Sequence, residues 1–291
     1  MKGRKADAAL AFNTLIWGST FTLVKSALAD ISPFLFLALR FSLAAAALAA
    51  LWTVAWRGRA VKRTAVTGGI LTGIFLFAGF LLQTLGLQFT TPPKSAFLTG
   101  LTSVMVPLLA ALVYRNKPQA AEVLGVLVAI CGLGLMTLEG PLGSIGKGDL
   151  LTVCCAVAFA AQIVTQGHYS ERADFEVLSL IQVATAAVLA LALVGWVEPL
   201  KIVWNPAVVY AILVTGLLAT ALAFTIQAWA QKYTSSTRTA LIYMLEPVFA
   251  WLISYFILGQ GLAGRAALGA VLILGGVALV ELKPMQIRLH P

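Results

Sequence analysis

Charge is scarce in this chain: Asp, Glu, Lys and Arg make up 11% of its 291 residues, where a soluble domain carries about a quarter. Histidine occurs only at His168 and His290, and cysteine only at Cys131, Cys154 and Cys155. Without a Cys-x-x-Cys spacing or paired histidines there is no ligand set for zinc. An odd number of cysteines, all within apolar runs, argues against a disulfide framework. The chain also lacks a Walker-type phosphate loop, an H-E-x-x-H pair and a histidine-supported nucleophile, so ATP drive and hydrolysis have no residues to carry them and no cofactor is implied. A lipid-modifying transferase would need clustered acids, histidines or metal ligands near the membrane surface, and these are missing too. The formal charge of +9 does not point to nucleic acid, because the basic residues sit in small clusters between hydrophobic stretches rather than on one face.

What is abundant is hydrocarbon, with 60% of residues apolar. A bilayer core about 30 Å thick takes about 20 helical residues per crossing. Ten apolar stretches are long enough to cross or nearly so, at roughly 8–28, 33–56, 64–87, 94–114, 121–138, 149–168, 176–196, 207–230, 237–258 and 265–282. They are continuous rather than alternating, which predicts helices and excludes a membrane β-barrel. The first stretch follows Lys2, Arg4 and Lys5 and ends in Ala27, Leu28 and Ala29, like a secretory leader. It is long for one and carries Asn13 and Lys25, so its retention is expected. With ten crossings, Lys2, Arg4, Lys5, Arg57, Arg59, Lys62, Arg63, Arg115, Lys117, Arg172, Lys232, Arg238, Lys283 and Arg288 fall on one side. Only Lys25, Lys94, Lys147, Lys201 and Arg265 fall on the other, and Arg40 lies within a helix. The positive-inside rule then places both termini in the cytoplasm.

The chain also repeats itself. Ser95 to Pro107 (SAFLTGLTSVMVP) aligns without gaps on Ser235 to Pro247 (SSTRTALIYMLEP). Leu124, Gly125 and Gly132 meet Leu268, Gly269 and Gly276, Thr72 meets Thr215, and Asp7 meets Asp149, at offsets of about 140 to 144 residues. One repeat holds five helices, and an odd number makes the second copy enter the membrane from the opposite side, as in inverted-repeat transporters. The expected fold is therefore all-α, with ten transmembrane helices in two inverted five-helix repeats. Gly, Pro and polar residues over Glu139–Asp149 mark the junction, giving repeats at 1–140 and 141–291.

Four runs carry a resemblance: IWGSTFTLVK from Ile16, ALRF from Ala38, LEPVFAWLISYFILG from Leu245 and LGAVLILGGVAL from Leu268. They are similar to the EamA family of the drug/metabolite transporter superfamily, over nearly the whole chain and in both halves. The resemblance implies a ten-helix inner-membrane carrier that exports small metabolites such as amino acids, with aromatic and hydrophobic amino-acid exporters as its best-studied bacterial branch. Many relatives have an acidic residue after the Leu-Gly of the ninth helix, where this chain has Gln260.

Candidate functional residues follow from polarity at depth. Pro107 and Pro247 each remove an amide donor and crowd the carbonyl four residues back, that of Ser103 and of Tyr243, so a matched pair of kinks is expected as the conformational element. Such interruptions flag the central site of inverted-repeat carriers. Glu246 lies within a span, where a charge costs about 3 kcal/mol, and it can hold a cargo ammonium, a proton or a structural hydrogen bond. Its repeat partner is Val106. Arg40 is expected in structural pairing, with a cargo carboxylate as the alternative. Asn13, Trp17, Thr20 and Phe21 follow helical spacing, and Gln162 and Gln166 share a face. Gln83, Gln227 and Tyr243 add uncharged polarity, and Phe77, Phe80, Phe97, Phe159 and Phe224 add rings. Gly69, Gly73, Gly132, Gly134, Gly275 and Gly276 are expected to serve helix packing. The function this predicts is secondary transport of a small molecule, foremost an amino acid with an aromatic or apolar side chain, by alternating access. The expected partners are that small molecule and the bilayer, with no nucleic acid. A nucleotide-sugar or cationic-drug carrier is the alternative, and a channel a more distant one.

Overall fold

A computed structural model of the protein describes residues 2–55, 61–115, 119–137, 146–246, 248–249 and 264–281. Among them there is no β-strand, only an isolated bridge between Ile31 and Ile202. The chain begins with α1 (Lys2–Gly18) and α2 (Thr20–Ala27), two pieces of one apolar stretch parted at Ser19. Next come α3 (Pro33–Ala55), α4 (Arg63–Phe89), the nearly continuous α5 (Pro92–Gly100) and α6 (Thr102–Tyr114), and α7 (Ala120–Thr137). The second half has α8 (Lys147–Ser170), α9 (Phe175–Leu193), and α10 (Pro206–Leu213), which runs through a π-helical segment (Val214–Leu222) into α11 (Ala223–Ala230). It closes with α12 (Ser236–Tyr243) and α13 (Gly264–Glu281). Proline opens α3, α5 and α10, where its missing amide would have had no helical partner. Asn205 and Ser235 cap α10 and α12 by accepting from the amides of Val208 and Arg238.

Among the described residues six helices are long and apolar enough to cross a membrane: Pro33–Val54, Arg63–Phe89, Lys94–Tyr114, Lys147–Ser170, Phe175–Leu193 and Pro206–Ala230. Ala120–Leu135 and Gly264–Leu279 are shorter apolar helices. The first predicted stretch is divided at Ser19, and much of the ninth lies outside the described residues. Large apolar side chains face outward along the bundle, Val54 at 80% and Leu112 at 76% exposure. A soluble monomer rarely leaves such a surface in water, and lipid removes the penalty.

Polar contacts gather at the two ends. At one, Arg238 donates to Asp7 Oδ2 at 2.9 Å, Lys2 stands 5.6 Å over the Tyr233 ring, and Lys232 stands 5.6 Å over Phe175. At the other, Lys94 donates to Asp149 Oδ2 at 2.6 Å, Lys147 stands 4.9 Å over Phe89, Lys25 donates to the Leu87 carbonyl, and Lys201 donates to the Ala29 carbonyl at 2.7 Å. The helix α4 links the two, from Thr64, which donates to the Arg172 carbonyl, to Phe89 beneath Lys147. Lys2, Lys232 and Arg238 thus lie at the opposite end of the bundle from Lys25, Lys94, Lys147 and Lys201.

The last helices of the two halves cross antiparallel and almost in backbone contact. A Cβ on Gly132 would meet the Gly269 carbonyl at 2.5 Å, and one on Gly276 would meet the Gly125 carbonyl at 2.5 Å. These are the glycines that the internal repeat aligns, each packing on the partner of the other. Beside this crossing lies a core built around Leu10, Leu241, Ile242 and Ile273, while a larger one fills the space among α3, α4, α9 and α10 around Phe36, Phe41, Leu76 and Val183.

Candidate functional site

The run of α5 and α6 is interrupted ahead of Pro107, and α12 ends at Tyr243, ahead of Pro247 in the sequence. The amides of Leu101 and Val104 bond back three residues, to Leu98 O at 3.2 Å and Leu101 O at 3.0 Å, which separates α5 from α6. Likewise α12 ends at Tyr243, and the amides of Met244 and Leu245 bond back three residues to Leu241 O and Ile242 O, each at 3.0 Å. A kink centred on Pro107 was expected, but Pro107 itself remains inside α6. A proline ring crowds the carbonyl four residues back, here that of Ser103, whereas the i→i+3 bonds that mark the break lie earlier, around Gly100–Leu101. Pro247 lies outside the described residues.

Between the two interruptions is a cavity of about 110 Å³. Its wall consists largely of positions matched by the internal repeat, Trp17 with Phe159, Phe21 with Ile163, Gly100 with Ala240 and Ser103 with Tyr243, together with Phe80 and Gln83, which fall within one residue of register with Phe224 and Gln227. The cavity is therefore lined by both EamA-like repeats. Its rings pack on one another, Trp17 edge-on to Tyr243 at 4.8 Å between centroids and Phe80 edge-on to Phe159 at 5.1 Å and to Phe224 at 5.9 Å. Thr20 and Glu246 complete the predicted residues found on the wall. Ala96, Thr99, Thr102, Leu133 and Met244 also line it and were not anticipated, nor were Gly100, Ile163 and Ala240. Helical spacing held a signal for several of them: Ala96, Thr99 and Gly100 lie on the face of Ser103, and Ala240 and Met244 on that of Tyr243.

Asn13, Phe77, Phe97, Gln162 and Gln166, also predicted as cavity residues, lie off this wall. Asn13 is fully buried and donates to the Ala223 carbonyl at 2.8 Å. Phe77 belongs to the larger core and Phe97 packs against the core beside α13. Gln162 and Gln166 belong to a buried amide network. Gln162 Nε2 donates to Gln166 Oε1 at 2.5 Å and to Gln182 Oε1 at 3.2 Å. Gln227 Nε2 donates to Gln162 Oε1 at 3.1 Å and to Gln231 Oε1 at 3.2 Å, and Gln231 donates to the Ile163 carbonyl at 2.9 Å. Gln227 thus joins the cavity wall to the network behind it.

The π-helical segment holds the first helix in place. Its i→i+5 pattern alters which carbonyls are free; Trp17 Nε1 donates to Ala219 O at 2.9 Å, and Thr220 Oγ1 bonds back five residues to Thr215 O at 2.7 Å. Arg40 Nε donates to the same Thr220 hydroxyl at 2.8 Å, and its guanidinium lies 4.0 Å from the Phe80 ring centroid. Among the described residues Arg40 meets no carboxylate: the ion pairs there are Lys94–Asp149 and Arg238–Asp7. Its structural partner is a hydroxyl and a ring, and it stands behind the cavity wall, on the far side of Phe80.

Sequence comparison assigns the family. Residues 4–138 and 146–282 each match the EamA-like transporter family, and the chain belongs to it. An uncharacterized transporter of Archaeoglobus fulgidus is 35% identical over 278 residues, spanning 96% of this chain and 86% of its own. The uncharacterized transporter YoaV of Bacillus subtilis is 23% identical over 272 residues, spanning 91% and 92%. A solved crystal structure of a protein 23% identical superposes with a TM-score of 0.77, covering 94% of this chain and 96% of that one, which is a likeness of fold. This is a multi-pass membrane protein of a transporter family, built from two EamA-like repeats.

Proposed function

We propose that the protein is a secondary carrier that moves small organic molecules, foremost amino acids with aromatic or apolar side chains, outward across a bacterial-type inner membrane by alternating access. In this reading residues 1–140 and 141–291 are five-helix repeats of opposite orientation, making ten transmembrane helices with both termini in the cytoplasm. The observation that carries it is the cavity, enclosed where an interrupted helix of one repeat meets an interrupted helix of the other and walled by residues matched through the repeat. Inverted-repeat carriers bind cargo in such a place. The rings and few polar groups of the wall suit a small molecule with an apolar body. Cargo class and direction of export follow the family resemblance.

The two ends support alternation. At each, an acid near the start of one repeat's first helix grips a base near the start of the other repeat's fourth helix, Asp7 with Arg238 and Asp149 with Lys94. At each, a lysine beside that acid covers an aromatic ring at the end of the other repeat's third helix, Lys2 over Tyr233 and Lys147 over Phe89. Opening either end requires parting one of these matched clasps while the other holds. A nucleotide-sugar cargo is disfavoured, because the lining among the described residues includes no lysine, arginine or histidine to meet a phosphate. Purified protein in liposomes should take up labelled phenylalanine or leucine saturably, and faster when the vesicles are preloaded with the unlabelled compound. Flux that never saturates would mean a channel, and no flux of any of the twenty amino acids by folded protein would remove the cargo class.

A further inference from the structure

The hydrogen-bonding groups of the cavity wall are unevenly committed. Most of its donors are used within the protein, the buried Tyr243 hydroxyl being left without a partner among the described residues. Trp17 Nε1 donates to the Ala219 carbonyl, and the hydroxyls of Thr20, Thr102 and Ser103 donate to the carbonyls of Trp17, Ala156 and Gly100 at 2.8, 3.2 and 2.7 Å. The Gln227 amide nitrogen serves Gln162 and Gln231, and that of Gln83 reaches Thr99 Oγ1 at 3.3 Å. Two carbonyl or carboxyl oxygens remain as acceptors. Gln227 Oε1 and Glu246 Oε1 are both buried and have no hydrogen-bond partner among the described residues. Gln227 itself is fully buried, in a helix fixed by the network behind it.

An unmet buried acceptor costs about 1 to 3 kcal/mol, and a group bringing N–H donors removes that cost. A carboxyl group, a carbonyl oxygen and several aromatic faces within one small cavity make an environment that attracts a cation. The opposite requirement is not met. The wall as described has no basic side chain, and the cation standing closest behind it, Arg40, has its guanidinium laid on the Phe80 ring with its Nε on Thr220. A cargo carboxylate would find no counter-charge among the groups described on this wall, and the one uncommitted donor there is the neutral Tyr243 hydroxyl.

We infer that the cavity recognises a protonated amine on an apolar or aromatic body, with Glu246 and Gln227 receiving the ammonium, and that the carboxylate of an amino acid is tolerated rather than read. The inference rests on the cavity being the cargo site of a carrier, and it widens the cargo from amino acids to amines that lack the acid group.

The test is binding by the full-length protein in detergent, followed by isothermal titration and by thermal stabilisation, since a bound ligand raises the unfolding midpoint by mass action. The probes form two matched series, 2-phenylethylamine, phenylalanine and 3-phenylpropionate, and isoamylamine, leucine and 4-methylpentanoate. Expected is binding of the amine at least as tight as that of the amino acid in one or both series, with no stabilisation by the acid at tenfold higher concentration. Glu246→Gln, close in shape to the original, should weaken amine binding about tenfold or more while the unliganded midpoint stays in place. Binding of the amino acid and the acid but not the amine would overturn the inference and leave an amino-acid carrier standing. Equal binding of all three members would overturn it as well, since charge would then not be read. Silence from all six with folded protein would remove both the inference and the cargo class. Binding of the amines alone would support the inference and strike amino acids from the cargo.

Discussion

At the Asp149 end of the bundle a carboxylate is held three ways, by Lys94 at 2.6 Å and by Thr90 and the Gly146 amide at 2.9 Å each. At the Asp7 end the matching carboxylate takes a bond from Arg238 at 2.9 Å, and its second oxygen has no partner among the described residues. What lies behind the clasps differs in the reverse sense. The Asp7 end is backed by the network of Gln162, Gln166, Gln182, Gln227 and Gln231, while the equivalent of Gln227 in the first repeat, Gln83, reaches only Thr99. Two ends built from the same ancestral parts are closed by different means, one by a tight latch and the other by a thick polar layer. The two EamA-like repeats set the frame, and substitutions in one or the other decide how each half is held.

The largest effect should come from the latch. Asp149→Ala strips the acceptor from Lys94, Thr90 and the Gly146 amide together, and should cost about 3 kcal/mol of stability in detergent. Asp7→Ala removes one charged bond and relieves an unpartnered oxygen, so about 1 kcal/mol is expected. Each variant should also raise the labelling of a reporter cysteine at its own end and not at the other. Equal losses of stability, or labelling that rises at both ends in both variants, would dissolve the distinction between them.

The polar layer comes next. Gln227→Leu leaves the amide oxygens of Gln162 and Gln231 without their donor, and should lower stability by about 2 kcal/mol. Gln83→Leu deprives only the Thr99 hydroxyl, at a long 3.3 Å, and should cost under about 1 kcal/mol. Thermal unfolding of the two side by side reads the difference, and a larger loss from Gln83→Leu would reverse the assignment of the thicker layer.

Much of this was readable in the amino acids, and what was not has a physical reason. Apolar runs bounded by proline, asparagine or charge predicted 33–56, 64–87, 149–168 and 207–230, and the helices found are Pro33–Ala55, Arg63–Phe89, Lys147–Ser170 and the run from Pro206 to Ala230. Hydrophobicity reports that a segment is apolar and is blind to how its hydrogen bonds are threaded, so the break at Ser19 and the π-helical segment left no mark in it. The repeat alignment brought Asp7 and Asp149 together but not their bases, because Arg238 aligns with Leu98 and Lys94 with Thr234. The function of each position survived while the residue bearing the charge moved by about a helical turn. The role of Gln182 and Gln231 is set by neighbours far away in the chain, and no local spacing announces it. Phe77 and Phe97 were expected on the cavity by residue type alone, and packing claimed them instead.

A smaller effect bears on the first helix. Trp17 and Phe159 are equivalent through the repeat, yet only the indole carries an N–H, which bonds the Ala219 carbonyl of the π-helical segment at 2.9 Å. Trp17→Phe gives the first repeat the residue of the second, and should cost about 1 kcal/mol for the lost bond while the ring contact with Tyr243 is largely kept. If unfolding is unchanged, the altered hydrogen bonding of the π-helical segment is not what anchors α1.

The smallest effect on stability is expected from Glu246→Gln, and its value lies in what else changes. The second repeat places a carboxyl where the first has Val106, and Oε1 of that carboxyl has no partner to lose, so the unfolding midpoint should move by less than about 0.5 kcal/mol in equivalent stability. Transport should behave otherwise. A carboxylate that receives a cargo ammonium works only when ionised, so wild-type flux should fall as pH is lowered through the titration of Glu246, and an amide at the same place cannot titrate. Flux by the variant, though slower, should therefore lose that acid limb when followed over a pH series in liposomes. A variant that keeps the wild-type pH profile would exclude Glu246 as the group that exchanges the proton, and the asymmetry between Val106 and Glu246 would then serve packing rather than cargo.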